Sequence, residues 1–450
     1  MDISNDAFGM LAKHALCDHC LGRQFALLGH GMENEERGKA LKLVLTLNAH
    51  VLALLGDKKG IKALKVLATN GFFVPAKELL HQLGKPVPEK NSLSECYLCA
   101  NTFKLETELV RKCIDLLKEF EYNNFLVGTE LPSKIAERED EFMAELNVQH
   151  GENMRNEFGR LIGKKIAEQT KKDVEFKRPE MVVLIKPFEQ SVQLQPNPLF
   201  VSGRYRKLVR DIPQSKWFCS ACHGHGCEKC GWTGKMYQES VQEIIEKPFL
   251  EATDGLKASF HASGREDIDA RMLGRGRPFV IEITKPKKRF LDLERVKQEV
   301  NASGKGKVQV STMKMADKLV VQRLKKGEST QKEYRVLIEF ERRITAKDLL
   351  SVEKALKNVT IKQQTPLRVV HRRADLTREK YIYEVNVKKL SPKKAEMKIR
   401  CQGGLYVKEL VTGDEGRTVP NVSAILNNMA KPQKLDVLNV AMEDQELMGE

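Results

Sequence analysis

The stretch HASGREDIDARMLGRGRPFVIEI, residues 261–283, changes character part-way along. Four arginines (Arg265, Arg271, Arg275, Arg277) and three acids (Glu266, Asp267, Asp269) crowd its first part, among Gly264, Gly274 and Gly276. The second part, PFVIEI, has the β-branched and aromatic residues of a half-buried strand. Nothing in helix or strand propensity asks for the first part. A carboxylate among arginines is held ionised, because nearby positive charge lowers its pKa. That suits a nucleophile or an electrostatic stabiliser better than a general acid. A salt-bridged surface loop has the same composition. The glycines favour the first reading slightly, since they allow tight backbone turns on both sides of the acids.

Working outward, the strand at PFVIEITKP is followed by others at GKVQVST, YRVLIEF, YIYEVNVKKL and AEMKIRCQG. Helical patterns at 290–301, 315–326 and 346–357 separate them. Residues 240–450 are therefore expected to form one large α+β domain on a mixed or antiparallel sheet. Residues 120–212 show a strand-helix-helix-strand-strand order, from NFLVGTELP to SVQLQPNPLFVSGRYR, which predicts a small α/β module. Residues 1–119 read as mostly helical, with helical periodicity in KALKLVLTLNAHVLALL and GIKALKVLATNGF. The class predicted for the whole chain is α+β.

Eight of the ten cysteines fall into four CxxC pairs. Such pairing reads as metal before it reads as disulfide in a chain with no secretory leader, and MDISNDAFGMLAKHALCDHC lacks the pattern of one. A cytoplasmic location is therefore expected. Cys17, Cys20, Cys96 and Cys99 can supply a closed four-thiolate zinc site that clamps the chain's start to the end of the helical region. Cys219, Cys222, Cys227 and Cys230, in CSACHGHGCEKCGWTGK, form a tighter second candidate at 216–236, similar to the knuckles of DnaJ-type zinc domains. His223 and His225 are alternative ligands there. Structural zinc, one ion or two, is the expected metal. Cys113, on a helical pattern, is expected to be a buried small hydrophobe.

The formal net charge of the 450-residue chain is +15, with 41% hydrophobic and 30% charged residues. Such an excess favours polyanions, through counterion release from phosphates. The basic and aromatic GRYRKLVRDIPQSKW suits RNA contacts through Arg204, Arg206 and Lys207, although a charged strand edge has the same composition. No apolar run approaches the ~20 residues of a membrane span. Neither a GxxxxGK[ST] loop nor an HExxH helix is present, so no nucleotide cofactor is expected, and none for catalysis.

GRED at 264–267 resembles the Gly-Arg-Thr-Asp motif of pseudouridine synthases related to TruA. The longer SGREDIDARMLGRGRPFVIEI is similar to the catalytic stretch of one branch, the archaeal and eukaryotic tRNA pseudouridine synthase family called Pus-ten. CDHCLGRQFA, NPLFVSGRYRKLVRDIPQSKW and GDEGRTVPNVSAIL also resemble that family's motifs, in the same order, so the resemblance covers nearly the whole chain. It implies that Asp267 attacks a uridine, at C1′ or at the base, and that Arg265 helps to push that base out of its stack. KEYRVLIEF resembles the family's second motif and makes Tyr334 the stacking and proton-handling tyrosine. GGLYVKEL resembles the third motif, placing Tyr406 in the pocket and Lys408 where an arginine normally pairs with the aspartate. Asp269 is then a bystander, and Leu426 is a candidate to pack under the base.

The same resemblance implies a mixed-sheet pseudouridine synthase domain, a THUMP-like module at 120–212 and an N-terminal helical zinc-binding region. Its implied substrate is tRNA, at positions 54 and/or 55 of the TΨC arm, with the enzyme acting as a monomer. A zinc-containing tRNA-binding protein without activity is the competing reading. It accounts for the charge and the cysteines, but has no need of Asp267, Tyr334 and GGLYVKEL together.

Overall fold

A computed structural model describes residues 2–87, 95–326 and 330–449. The chain divides into two compact units, Met1–Asn197 and Pro198–Glu450. The first unit begins with helices Ile3–Lys13, Asn34–Leu54, Lys58–Thr69, Val74–Gln82 and Glu106–Leu117. Cys113 lies fully buried on the last of these, where burial pushes its thiol up to about 12. A four-stranded sheet follows: β1 (Asn124–Thr129), β2 (Asp173–Val174), β3 (Met181–Lys186) and β4 (Ser191–Pro196), in the order β2-β1-β3-β4. Helices Ser133–Glu145 and Met154–Thr170 connect β1 to β2. The Asn153 side chain caps the second helix by accepting from Asn156 N. Met181, Val183 and Ile185 alternate inward along β3, the period-2 pattern of a sheet with one face on the core.

The second unit carries a ten-stranded sheet. Its strands are β5 (Leu199–Lys207), β6 (Lys257–Ala262), β7 (Arg271–Thr284), β8 (Val308–Ala316), β9 (Gln331–Phe340), β10 (Val359–Gln364), β11 (Thr377–Ser391), β12 (Lys394–Gln402), β13 (Thr418–Val419) and β14 (Ala430–Val440). Their order is β13-β10-β11-β12-β9-β14-β7-β5-β8, with β6 paired to β7. Pairing is antiparallel except between β7 and β14, which run parallel where Arg271 and Met272 face Asp436 and Val437. The expected α+β domain with a mixed sheet is therefore what forms.

Two expectations change. Leu199–Lys207, read with the α/β module ending at 212, is instead a central strand of the second unit, paired to β7 and β8. Pro196 and Pro198 break the ladder between β4 and β5, so SVQLQPNPLFVSGRYR is two strands in two sheets. Gly274 and Gly276, read as turn residues, lie inside β7. At Gly274 (φ +57) an added Cβ would sit 1.9 Å from the Leu438 carbonyl oxygen, so this glycine admits the close approach of β14.

The core of the second unit has two principal clusters. One gathers Val336, Ile338, Met397 and Ile399 from β9 and β12, and the other Val201, Phe279 and Ile281 from β5 and β7. Tyr334 shares a face of β9 with Val336, Ile338 and Phe340, and packs partly buried against both clusters. Between the two strand sets runs β14. Its Asp436 accepts from Arg271 on β7, from Arg335 on β9 and from Arg210 in the loop after β5. Burial works against that carboxylate, but the three guanidinium groups hold it down at about 2. No helix among the described residues is long and apolar enough to cross a membrane.

Candidate active site and cysteine centres

The acid-and-arginine stretch is the loop between β6 and β7, and it is held from below by a single strand face. Tyr205 and Lys207 lie two residues apart on β5 and so project to one side. The Tyr205 hydroxyl donates to the Glu266 carboxylate at 2.9 and 3.0 Å. Lys207 Nζ donates to the carbonyls of Ile212, Asp267 and Ile268 at 2.9–3.1 Å. Burial pushes the Lys207 amine down to about 8, while nearby acids oppose the shift. Arg277 on β7 closes the support, donating Nε to Glu266 at 2.8 Å and Nη1 to the Ser263 carbonyl at 2.6 Å. Gly264 turns the loop at φ +80, where a Cβ would come 2.7 Å from Lys332 Nζ.

This support corrects one expectation. Arg204 and Lys207 are buried: Arg204 Nε donates to Asp444, and Lys207 serves the loop. Only Arg206 of that basic trio keeps partial exposure. The charge of GRYRK was legible, but its direction depends on strand parity and on having neighbours on both edges.

Above the loop lies a cavity of about 880 Å³, within the range of small-ligand sites. Arg265, Asp267, Tyr334, Tyr406 and Lys408 all line it, so the structure brings the five sequence candidates to one place. Leu426 does not line it and packs instead against the β9–β12 core. Eight lysines and arginines face three acids around the cavity, an excess of five positive charges. The Arg265 guanidinium lies over the Trp217 ring, 4.9 Å from its centroid. Tyr406 accepts from Arg373 Nη1 at 2.9 Å through its hydroxyl, and its backbone is clamped by Gln363 on β10.

Asp267 has a second partner beside the Lys408 that the motif suggested. Arg368, in the short helical turn Leu367–Arg372, faces it with a fork: Nη1 lies 3.3 Å from one carboxylate oxygen and Nη2 3.2 Å from the other. Arg368 is fixed in turn by Glu409, which accepts from its Nε at 2.6 Å. Lys408 lies 3.3 Å from Asp267 but 2.8 Å from both oxygens of Asp269, so Asp269 orients the lysine. Burial would raise the Asp267 pKa; Arg368 and then Lys408 outweigh it and hold the carboxyl below its usual range. Tyr334 is shifted the other way, since burial raises its phenol and keeps it protonated at neutral pH. Arg368 had no motif to mark it, only the basic run LRVVHRR. Lys332 was likewise found by the fold alone, whereas Trp217 closes the basic and aromatic stretch read for RNA contacts.

The chain matches the model described as "Pus10, C-terminal" over residues 200–441 and that described as "Pus10 THUMP domain, archaeal" over 109–186. It is 44% identical over 449 residues to the tRNA pseudouridine synthase Pus10 of Methanocaldococcus jannaschii, covering 98% of this chain and 94% of that one. The protein of the same name from Methanothrix thermoacetophila is 40% identical over 441 residues, covering 98% and 94%. This chain belongs to the Pus10 family of tRNA pseudouridine synthases. Every residue lining the cavity falls inside the Pus10 C-terminal match. The THUMP match ends with β3, before the proline break, whereas the sequence reading ran that module on to 212. A solved Cbf5-Nop10-Gar1 complex aligns at 14% identity over 54% of this chain and 50% of that one, with a TM-score of 0.30, too low to bear on the fold.

The two cysteine groups lie one in each unit. Four thiolates at ~2.3 Å around one tetrahedral metal stand ~3.8 Å apart. The sulfurs of Cys17 and Cys99 are 3.6 Å apart, those of Cys219 and Cys227 3.8 Å, and those of Cys222 and Cys230 3.9 Å. Within each group all four sulfurs lie within 4.8 Å of one another, and neither His223 nor His225 joins the second group. Backbone N–H groups point at the sulfurs, from Cys17 and Cys20 in the first group and from Gly226, Cys227 and Gly234 in the second. Such donors suit thiolates better than thiols. Both groups can hold a metal ion, and both are closed sets with no open position for substrate.

Proposed function

We propose that the cavity takes one everted uridine of the tRNA TΨC arm, at position 54, 55 or both, and that Asp267 is its nucleophile. The observation that carries this reading is the Asp267 carboxylate, kept ionised by the Arg368 fork and Lys408, in the same cavity as the ring of Tyr334. Pseudouridine formation breaks the N1–C1′ bond and forms C5–C1′. The C5 proton goes to solvent, and N1 gains a proton. In one route Asp267 bonds to C1′ as N1 departs, and C5 then displaces it. In the other it adds to the base and is expelled after rotation. Either route begins from an ionised carboxylate on the cavity wall.

Tyr334 supplies a flat apolar face for the base. Because its phenol keeps its proton, it serves C5 deprotonation as a relay rather than as the phenolate. Arg265 and Trp217, a planar pair in the cavity wall, fill the space the base leaves in its stack. Tyr406 borders the uridine, and Lys408 adds a second positive charge beside the Asp267 oxygen that Arg368 Nη2 also faces. The first unit, with its THUMP match, holds the remainder of the tRNA, and one zinc ion occupies each cysteine group. These metals tie loops together and take no part in the isomerisation.

The test is release of tritium from tRNA made with 5-tritiated uridine, comparing wild type with Asp267→Asn. Release by wild type and none by the variant is expected, with sequencing of the product locating the modified position. Equal release by both proteins would remove Asp267 from the chemistry.

A further inference from the structure

The second cysteine turn has no part in the isomerisation, yet it grows out of the cavity wall. Trp217 lines the cavity and packs edge-on against Tyr237, with 5.7 Å between ring centroids. Its carbonyl accepts from Met236 N at 2.9 Å, and Phe218 pairs with Lys235 through an isolated antiparallel bridge. A two-chain stem rooted in that wall thus carries the four-sulfur turn.

The turn exposes apolar surface that a zinc cage does not need. Trp232 is 72% exposed, Phe218 59% and Met236 52%. Trp232 also adopts φ +62, a conformation that bulky residues avoid and that costs stability unless the surroundings impose it. Here they do. Its N–H donates to the Cys227 carbonyl at 2.9 Å, and its own carbonyl lies 2.9 Å from where a Cβ on Gly226 would stand. The sulfur cage, Gly226 and a strained backbone together hold an indole out in water. His223, His225 and Lys229 are exposed on the same turn.

Glu228 is exposed beside Lys229, so the turn itself carries little net charge. A rigid, exposed aromatic face on a stem rooted in the wall of a positively charged cavity is the arrangement of a stacking platform for single-stranded nucleic acid. We propose that Trp232 stacks on an unpaired base of the substrate tRNA outside the cavity, so that the cysteine turn grips the RNA while one uridine is in the site. This rests on the reading of the cavity as a uridine site. A stacked base contributes ~1–3 kcal/mol by alanine substitution, which is about 5- to 150-fold in affinity.

Trp232→Ala should therefore raise KM for tRNA within that range, leave kcat within about twofold and retain wild-type zinc content. Trp232→Phe should restore KM, whereas Trp232→Leu, apolar but not planar, should not. The chain has two tryptophans, so in a Trp217→Phe background Trp232 alone reports, and adding tRNA should quench its emission. Unchanged KM with unquenched emission, in a preparation where wild type converts uridine, would overturn the platform alone. Restoration by leucine equal to that by phenylalanine would overturn stacking and leave a protein-docking patch. Quenching in the Trp217→Phe background, beside a wild type that binds tRNA but forms no pseudouridine, would refute the uridine reading while leaving the platform standing, because emission reports binding and not turnover.

Discussion

Glu266→Gln tests how the Asp267 loop is held. The Glu266 and Arg277 side chains are 0% and 2% exposed, and their ion pair spans 2.8 Å. Glutamine keeps the shape, and an acceptor for the Tyr205 hydroxyl, but leaves Arg277 a buried charge without a counter-charge. Removing one partner of a buried pair costs about 3–5 kcal/mol. For a unit of this size each kcal/mol moves the melting temperature by ~2–4 °C. The transition of the second unit should therefore fall by roughly 6–20 °C in calorimetry. Turnover should fall more than tRNA affinity, because the Asp267 backbone rests on the same support. Adding Arg277→Met should recover part of the loss, since replacing both members of a buried pair by apolar groups is often near neutral. The recovery stays partial because Arg277 also holds the Ser263 carbonyl. A single variant that melts within about 2 °C of wild type, or a double variant whose loss is the simple sum of the singles, would refute the argument.

The remaining predictions concern the carboxylate and the metals. Asp267 has a lowered pKa, so single-turnover rate should be full at neutral pH and fall only as pH drops below the ordinary carboxylate value of ~3.9. Arg368→Ala removes the larger of the two favourable charges, so the acid limb should shift to higher pH; an unmoved limb would assign the control elsewhere. Lys408→Ala should lower kcat with little change in KM. The opposite pattern, measured by steady-state kinetics, would make it a phosphate contact. Metal analysis should find two zinc ions per chain, and one in Cys96→Ser, which should also lower the melting of the first unit selectively. A metal-free wild type would sink the zinc assignment.

Asp267, Tyr334, Tyr406 and Lys408 were nominated by stretches that resemble a known family's motifs, and the fold brings all four to one cavity. Arg368 was not nominated, because it reaches Asp267 only through a fold that brings residues 101 positions apart together. The same limit explains the misreading of Arg204 and Lys207. Lysine and arginine look alike in sequence whether they face RNA or hold a buried carbonyl, and only the neighbours on both sides of β5 decide. The strand at 430–440 also escaped notice. Pro432 and two lysines, Lys431 and Lys434, interrupt its alternation, and its pairing with β9 shifts register between Pro432 and Lys434. The helices with caps and clear periodicity were easier, and Ala346–Leu356 starts within one residue of the sequence reading behind its Thr345–Asp348 capping box.

That late strand sets an order of events for a chain emerging from a ribosome. Asp267 belongs to the strands on one side of β14, and Tyr334, Arg368 and Lys408 to those on the other. Until β14 is made, the two strand sets have no common neighbour to zip them together, and Arg271 and Arg335 have no shared Asp436. A chain that lacks β14 can carry Asp267, Tyr334, Arg368 and Lys408 and still have no place where they meet. Activity therefore reports that β14 has been made and has paired with both β7 and β9.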